Sequence, residues 1–134
     1  MKLLIKHEHL FMILEKAKES RIEICGFLLG KQKDNDVIVE EVVFTKNRLN
    51  SPTAFEIDPL EIVKVLDYAD EKNLEPVGIF HSHLCKPIPS ERDIKGMKLW
   101  RNVWLIVDNK GNYGAFILKD EGKIEDVEIE ITQS

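Results

Sequence analysis

The hydrophobic positions of this chain follow two periods. Leu10, Ile13, Leu14 and Ala17 recur at the i, i+3, i+4, i+7 spacing of one helix face, which predicts a helix over 7–19. Ile22-Glu-Ile-Cys-Gly-Phe-Leu-Leu-Gly30 reads as a strand carrying two glycines. The Val- and Ile-rich run from Val37 to Thr45 reads as another, with Asp34-Asn-Asp36 turning between them. Lys46 to Thr53 holds Asn, Ser and Pro and reads as a loop, with room for a short strand near Phe55. Asp58-Pro59-Leu60-Glu61 is a helix start: Asp58 suits the N-cap, Pro59 the first helical position, and Glu61 completes a capping-box-like pattern. Ile62, Val65, Leu66 and Ala69 carry that helix to about Lys72. Val77-Gly-Ile-Phe80 is short and fully apolar, as a central strand would be, and Val103 to Val107 and Tyr113 to Leu118 read the same way. The residues from Asp108 to Asn112 turn between the last two. The final strand alternates at Ile124, Val127, Ile129 and Ile131 with acids between, so one face is expected in solvent. Neither repeats nor linkers interrupt the pattern, which predicts one domain over 1–134. Helices distributed among buried strands predict an α/β fold with helices packed on a sheet.

Composition narrows the classes. The chain has 134 residues, 43% hydrophobic and 32% charged, enough to bury a core and unlike a disordered segment. No apolar run approaches the roughly 18–20 residues that span a bilayer, and Met1 to His9 lacks the marks of a secretory leader. No membrane is therefore expected, and the expected location is cytoplasmic. A formal net charge of −5 with interspersed basic residues argues against a nucleic-acid partner. Two cysteines make no disulfide framework, so a reducing compartment is the default. Abundant Lys, Glu and Ile with only Gln32 and Gln133 resembles thermophile composition.

Chemistry is concentrated in His81-Ser82-His83-Leu-Cys-Lys-Pro-Ile-Pro-Ser90-Glu-Arg-Asp93, directly after the strand Val77 to Phe80. Two histidines at i and i+2 on a strand point the same way and can reach one metal ion. Ser90 begins a helix that places Asp93 in its first turn. Two His and one carboxylate leave a fourth tetrahedral position open, the pattern of a catalytic zinc site. Each piece also has a plainer explanation. Ser90-x-x-Asp93 is a capping-box variant, which does not exclude ligation. A second pair, His7-x-His9, falls at a helix start, where i and i+2 do not share a face, and is expected on the surface. Alone, Glu23 would be a solvated strand residue flanked by buried Ile22 and Ile24.

The segment resembles the signature of the JAMM (MPN+) metalloprotease family: an upstream Glu, then His-x-His, seven residues, Ser, two residues and Asp. Glu23-x-Cys25-Gly26-x-Leu28-x-Gly30 is similar to the family's first strand, and the resemblance covers essentially the whole chain. Two departures lie in one loop. Six residues, not seven, separate His83 from Ser90, and Leu84 stands where Pro is often found. They bear on loop shape and substrate contacts rather than on ligation, because the ligand types and the Ser-x-x-Asp spacing are kept.

The resemblance implies a single-domain three-layer α-β-α MPN fold, similar to cytidine deaminases, with a curved mixed β-sheet flanked by helices. It implies one Zn²⁺ held by His81, His83 and Asp93, with Glu23 as general base and acid and Ser90 as oxyanion donor. It implies an isopeptidase or peptidase cutting after the C-terminal Gly-Gly of ubiquitin-like or sulfur-carrier proteins. One alternative releases cysteine or another amino acid from a carrier's C-terminus; one of another class is a non-catalytic MPN scaffold. Deaminase chemistry is disfavoured by the absence of H-x-E and P-C-x-x-C patterns, and a structural zinc knuckle by cysteine spacing. Cys25 and Cys85 are expected as two buried small residues; a disulfide or a Cys85 ligand are the sharper alternatives. Asn47 to Pro52 is expected at the substrate rim, and a homodimer is left open. The length matches a minimal catalytic core without recognition insertions.

Overall fold

The computed structural model describes residues 1–133. In chain order these form β1 (Lys2–Lys6), α1 (His7–Glu19), β2 (Cys25–Lys33), β3 (Asp36–Thr45), α2 (Pro59–Glu71), β4 (Glu75–Ser82), α3 (Glu91–Leu99), β5 (Val103–Val107), β6 (Tyr113–Leu118), a 3-10 turn (Asp120–Gly122) and β7 (Ile124–Thr132). The predicted helices and most predicted strands are present, with differences that have local causes. β2 begins at Cys25 rather than Ile22, so Glu23 precedes the strand. No strand forms near Phe55, where the chain is irregular. Asp58 caps α2 by accepting from the Leu60 N–H at 2.9 Å. Glu61 does not close a capping box; its carboxylate accepts from the Lys46 N–H at 3.2 Å and fastens the preceding loop to the helix.

The sequence pattern gives no sign of β1, because five residues next to a helix carry too short an alternation to be read. Its partners are remote. It pairs in parallel with β3 and with β7, and Leu3 and Ile5 are 0% exposed. This strand changes the architecture. The order β1-β3-β2-β4-β5-β6-β7 returns to β1, so the expected curved sheet closes on itself as a barrel and leaves no free edge among the described residues.

The sheet has a hydrophobic cluster on each face. Leu28, Phe80 and Leu105 share one cluster with Leu10, Ile13 and Ala17 of α1; Phe27, Ile79 and Trp104 share the other with Val65 of α2 and Met97 of α3. Alternation along β2, β4 and β5 sends neighbouring residues to opposite clusters, which is why these strands read as continuous apolar runs. Gly26 allows the close approach: a Cβ there would collide with the Val43 carbonyl oxygen and the Phe80 ring. No helix among the described residues is long and apolar enough to cross a membrane.

Candidate metal and catalytic centre

β4 runs on past its apolar segment into His81 and Ser82. It lies between antiparallel β2 and parallel β5, and His81 stands opposite Cys25. The His83 N–H donates to the Val107 carbonyl at 2.8 Å, which continues the β4–β5 ladder by one bond. Both imidazoles are therefore held by sheet backbone. Their ring centroids lie 4.7 Å apart, as the i, i+2 alternation requires.

Asp93 meets them from α3. Its Oδ1 is 3.1 Å from His81 Nε2 and its Oδ2 is 2.9 Å from His83 Nε2. The capping box accounts for that placement. Asp93 N–H donates to Ser90 Oγ at 3.1 Å, and Ser90 N–H donates back to Asp93 Oδ2 at 2.9 Å. The cap thus orients the carboxylate whose other contacts are the two histidines. His83 Nδ1 lies 3.0 Å from the Lys86 carbonyl, which can only accept, so Nδ1 carries a proton and in the neutral ring Nε2 is left with the lone pair that can bind a metal.

Glu23 arrives from the stretch before β2 and is 4% exposed. Its Oε1 lies 3.4 Å from His81 Nδ1. Two side chains position this segment. Ser82 Oγ accepts from the Ile24 N–H at 2.9 Å. The buried Asn47 amide donates to the carbonyls of Glu23 at 3.0 Å and Ala54 at 2.9 Å, while its oxygen accepts from the N–H groups of Leu49 and Glu56. Asn47 was expected on the rim; instead it is the hub of the loop, while Pro52 and Thr53 border the cavity. Ser82 could have been found as the position between the two histidines, where alternation turns it toward the opposite face. No local pattern distinguishes Asn47 from a loop surface residue. Phe55 stacks on His81 at 4.5 Å, and Trp104 packs edge-on at 5.8 Å, so that ring is shielded from water.

The electrostatics are those of charges that complete each other. Burial acts to lower the His81 pKa, but its contacts with Asp93 and Glu23 outweigh this and push it up to about 9. Burial likewise opposes protonation of His83, and Asp93 reverses it. Burial alone would raise Asp93; the two histidines hold it far below the usual carboxylate range. His81 Nε2 is nonetheless buried without a well-aligned hydrogen bond. Glu23, His81 and His83 can bring one donor atom each within 4.8 Å of one another, a group able to hold a metal ion. Asp93 lies nearer still to both Nε2 atoms. Two imidazoles and carboxylates in a water-poor setting suit zinc, since a divalent cation would take the place of the protons that now hold the cluster together.

Glu23, His83 and Ser90 line a cavity of about 280 Å³ with Pro52, Thr53 and Leu84. All five expected site residues thus converge, although the strand readings place them far apart along the chain. One expectation fails: Cys85 is exposed at the cavity rim rather than buried. Both cysteines are free thiols, so the disulfide alternative is not formed. Cys25 is buried beside Thr45, and burial raises its thiol pKa to about 11, which makes it inert at neutral pH. Of the second histidine pair, His7 is exposed as expected, but His9 is partly buried.

Residues 7–119 match the family described as prokaryotic homologues of the JAB domain. A desampylase of Pyrococcus furiosus is 51% identical over 128 residues, covering 95% of this chain and 89% of its own. A probable TtuB-protein conjugate cleaving protease of Thermus thermophilus is 38% identical over 77% of this chain and 66% of its own. A desampylase of Haloferax volcanii is 31% identical over 77% of this chain and 78% of its own. A solution structure of a Desulfitobacterium hafniense protein superposes with a TM-score of 0.83 at 26% identity, covering 100% of this chain and 94% of that one. The chain belongs to the JAB-domain (JAMM) family, in its prokaryotic branch.

Proposed function

We propose that this chain is a cytoplasmic single-domain zinc metallopeptidase. It hydrolyses the peptide or isopeptide bond that follows the C-terminal Gly-Gly of ubiquitin-like or sulfur-carrier proteins. The observation that carries the reading is the convergence of Glu23, His81, His83, Ser90 and Asp93 in one connected cluster, three of them lining one cavity, in a chain 51% identical to a desampylase. His81 and His83 offer their Nε2 atoms and Asp93 its carboxylate to hold the metal. Bound zinc would supply a Lewis acid that polarises the scissile carbonyl and acidifies water.

The remaining work falls to the side chains around the metal ligands. Glu23, buried and facing the cavity, accepts a proton at Oε from the attacking water and returns it to the leaving amine. Ser90 Oγ already accepts from the Asp93 N–H, so its own O–H is free to donate to the carbonyl oxygen as negative charge develops. Phe55 and Trp104 keep the His81 side of the site dry, which strengthens each of these interactions.

The test is hydrolysis by the zinc-loaded chain of two substrates: a ubiquitin-like protein ending in Gly-Gly linked to a lysine, and the same protein fused linearly to a single amino acid. Cleavage of the first, stopped by chelator and restored by zinc, is expected. Cleavage of the second alone would move the function to amino-acid release. No cleavage of either by protein with full zinc occupancy would sink the catalytic reading and leave a scaffold.

A further inference from the structure

The proposed reaction fixes where the leaving group goes. The carbon–nitrogen bond breaks as the amine takes its proton from Glu23, so the nitrogen lies on the Glu23 side of the scissile carbonyl and the carbonyl oxygen on the Ser90 side. The carrier tail, bonded to the same carbonyl carbon, extends the other way. Glu23 and Ser90 border one cavity of about 280 Å³, and Pro52, Thr53, Leu84 and Cys85 form walls beside them. Pro52, Thr53 and Leu84 carry no charge. A free carboxylate next to the nitrogen, as in a carrier fused to a single amino acid, would meet no cation among these residues, and Glu23 would repel it. Uncharged walls suit methylenes, and a modified lysine has four of them between its amine and its backbone.

Leu84 and Cys85 also border a second cavity, of about 310 Å³, together with Lys86, Asp108, Lys110 and Asn112. The two cavities thus adjoin across one loop. Lys86 and Lys110 are exposed. Among the described residues neither has an ion-pair partner, whereas Lys2, Lys18, Arg48 and Lys119 each have one. The acid of this outer cavity, Asp108, is buried, and its carboxylate is taken up by the turn. It accepts from the N–H groups of Lys110 and Asn112 and from the Asn112 side-chain amide, each at 2.8 Å. Two ammonium groups against one occupied carboxylate leave the outer cavity positive, in a protein whose formal net charge is −5.

We propose that these two cavities form the acceptor side of the active site. The inner one holds the methylene stem of the modified lysine. The outer one holds the acceptor backbone next to it, with Lys86 and Lys110 pairing with acidic residues that flank that lysine. The inference rests on the proposed function and names the acceptor class of that same site: lysines in acidic surroundings, in preference to a single amino acid. Exposed lysines act mainly on association, so the signature is a preference expressed in KM that fades with salt.

The experiment uses zinc-loaded protein and one ubiquitin-like carrier, joined through its Gly-Gly terminus to the central lysine of short peptides. One peptide has aspartates on both sides of the lysine, and a second has arginines there. A third keeps the aspartates and replaces the lysine with diaminopropionate, whose stem is a single methylene. The carrier is the same throughout, so its own docking cancels from every ratio. The wild type is expected to prefer the aspartate peptide over the arginine peptide in kcat/KM by at least about fivefold at ~50 mM salt, through KM, and by less than about twofold at ~500 mM. Lys86→Glu/Lys110→Glu should invert that preference. Lys110→Glu alone, on a turn that supplies no ligand, should reduce it, which keeps the test readable if the Lys86 change disturbs the loop after His83. The control Lys31→Glu/Lys33→Glu makes the same charge change on the exposed end of β2, where Gly30 pairs with the start of β4, away from His81, and should keep the preference. The diaminopropionate conjugate should be cleaved at least about tenfold more slowly than its lysine counterpart. Equal cleavage of the aspartate and arginine peptides by the wild type overturns the outer cavity's role. So does a preference unchanged in both lysine variants, or lost equally in the control. Undiminished cleavage of the diaminopropionate conjugate overturns the inner one. A wild type that carries zinc and cleaves none of the conjugates overturns the functional reading and the acceptor side with it.

Discussion

The chain carries the pattern His-x-His twice, and the backbone period decides what each copy can do. His81 and His83 lie at the end of a strand, where i and i+2 point the same way; both Nε2 atoms reach the one Asp93 carboxylate. His7 and His9 open α1, where i and i+2 are roughly 200° apart around the axis. His7 is exposed and stacks on Phe11, with ring centroids 6.2 Å apart. His9 turns inward, and its buried Nδ1 has no hydrogen-bond partner. The same residues at the same spacing make a ligand pair in one place and a surface residue plus a frustrated one in the other. The second acidic N-cap pattern teaches the same lesson. At Ser90-x-x-Asp93 the box closes and aims a carboxylate at the histidines. At Asp58-x-x-Glu61 only the cap forms, and the glutamate is drawn away by the Lys46 N–H.

The sharpest way to break the comparison is to remove one member from each pair. His81→Ala or Asp93→Asn is expected to reduce zinc from about one ion per chain to near none, and with it turnover by at least ~10³-fold. His7→Ala should change neither, measured by metal analysis and conjugate hydrolysis. Zinc lost equally on removing His7 would mean that the strand pair is not the site. Glu23→Gln comes next. It keeps shape and burial but cannot take a proton, so turnover should fall ~10²–10⁴-fold with zinc content unchanged. Full activity in that variant would remove Glu23 from the proton path.

Much of this was legible in the sequence because it depends on local rules. Three helices follow from apolar spacing and caps, and the strand end that carries the histidines follows from alternation. What was not legible depends on residues meeting across the fold. β1 is a strand only because β3 and β7 lie on either side of it, and nothing in Lys-Leu-Leu-Ile-Lys announces partners more than thirty and a hundred residues away. Glu23 reads as solvated from its neighbours, since a lone acid between two isoleucines is the ordinary face of an edge strand. It is buried because Asn47 and Ser82 bind the peptide that follows it and the Ser51 carbonyl accepts from its own N–H. Family resemblance supplied Glu23; local physics did not.

Asn47 therefore tests whether the non-local part matters. Asn47→Ala removes the amide that holds the Glu23 and Ala54 carbonyls and leaves buried backbone groups unpaired. A stability loss of ~1–3 kcal/mol is expected from the broken bonds. A fall in kcat of ~10- to 100-fold is expected from the misplaced glutamate, with zinc content kept. Urea unfolding, metal analysis and steady-state kinetics separate the two effects. Lost stability with unaltered kcat would make Asn47 a loop staple and nothing more.

The smallest effect concerns His9. Burial, with Lys6 next in size, lowers its pKa below the ordinary 6.5. The unfolded chain then binds the proton more readily than the folded one, so His9 lowers stability as pH falls below 6.5 and has no such effect well above it. His9→Leu removes both the titration and the partnerless Nδ1. It should stabilise the zinc-loaded protein by up to ~1 kcal/mol at pH 7.5. That advantage should widen between pH 7 and pH 5, read as the difference between the urea midpoints of the two proteins. Taking the difference cancels His81 and His83, which are common to both. An advantage that narrows with acidity would mean that His9 gains a carboxylate partner on protonation, with Glu8 and then Glu41 the charges placed to provide it. The two histidine pairs would then differ in the strength of their acidic partner rather than in having one.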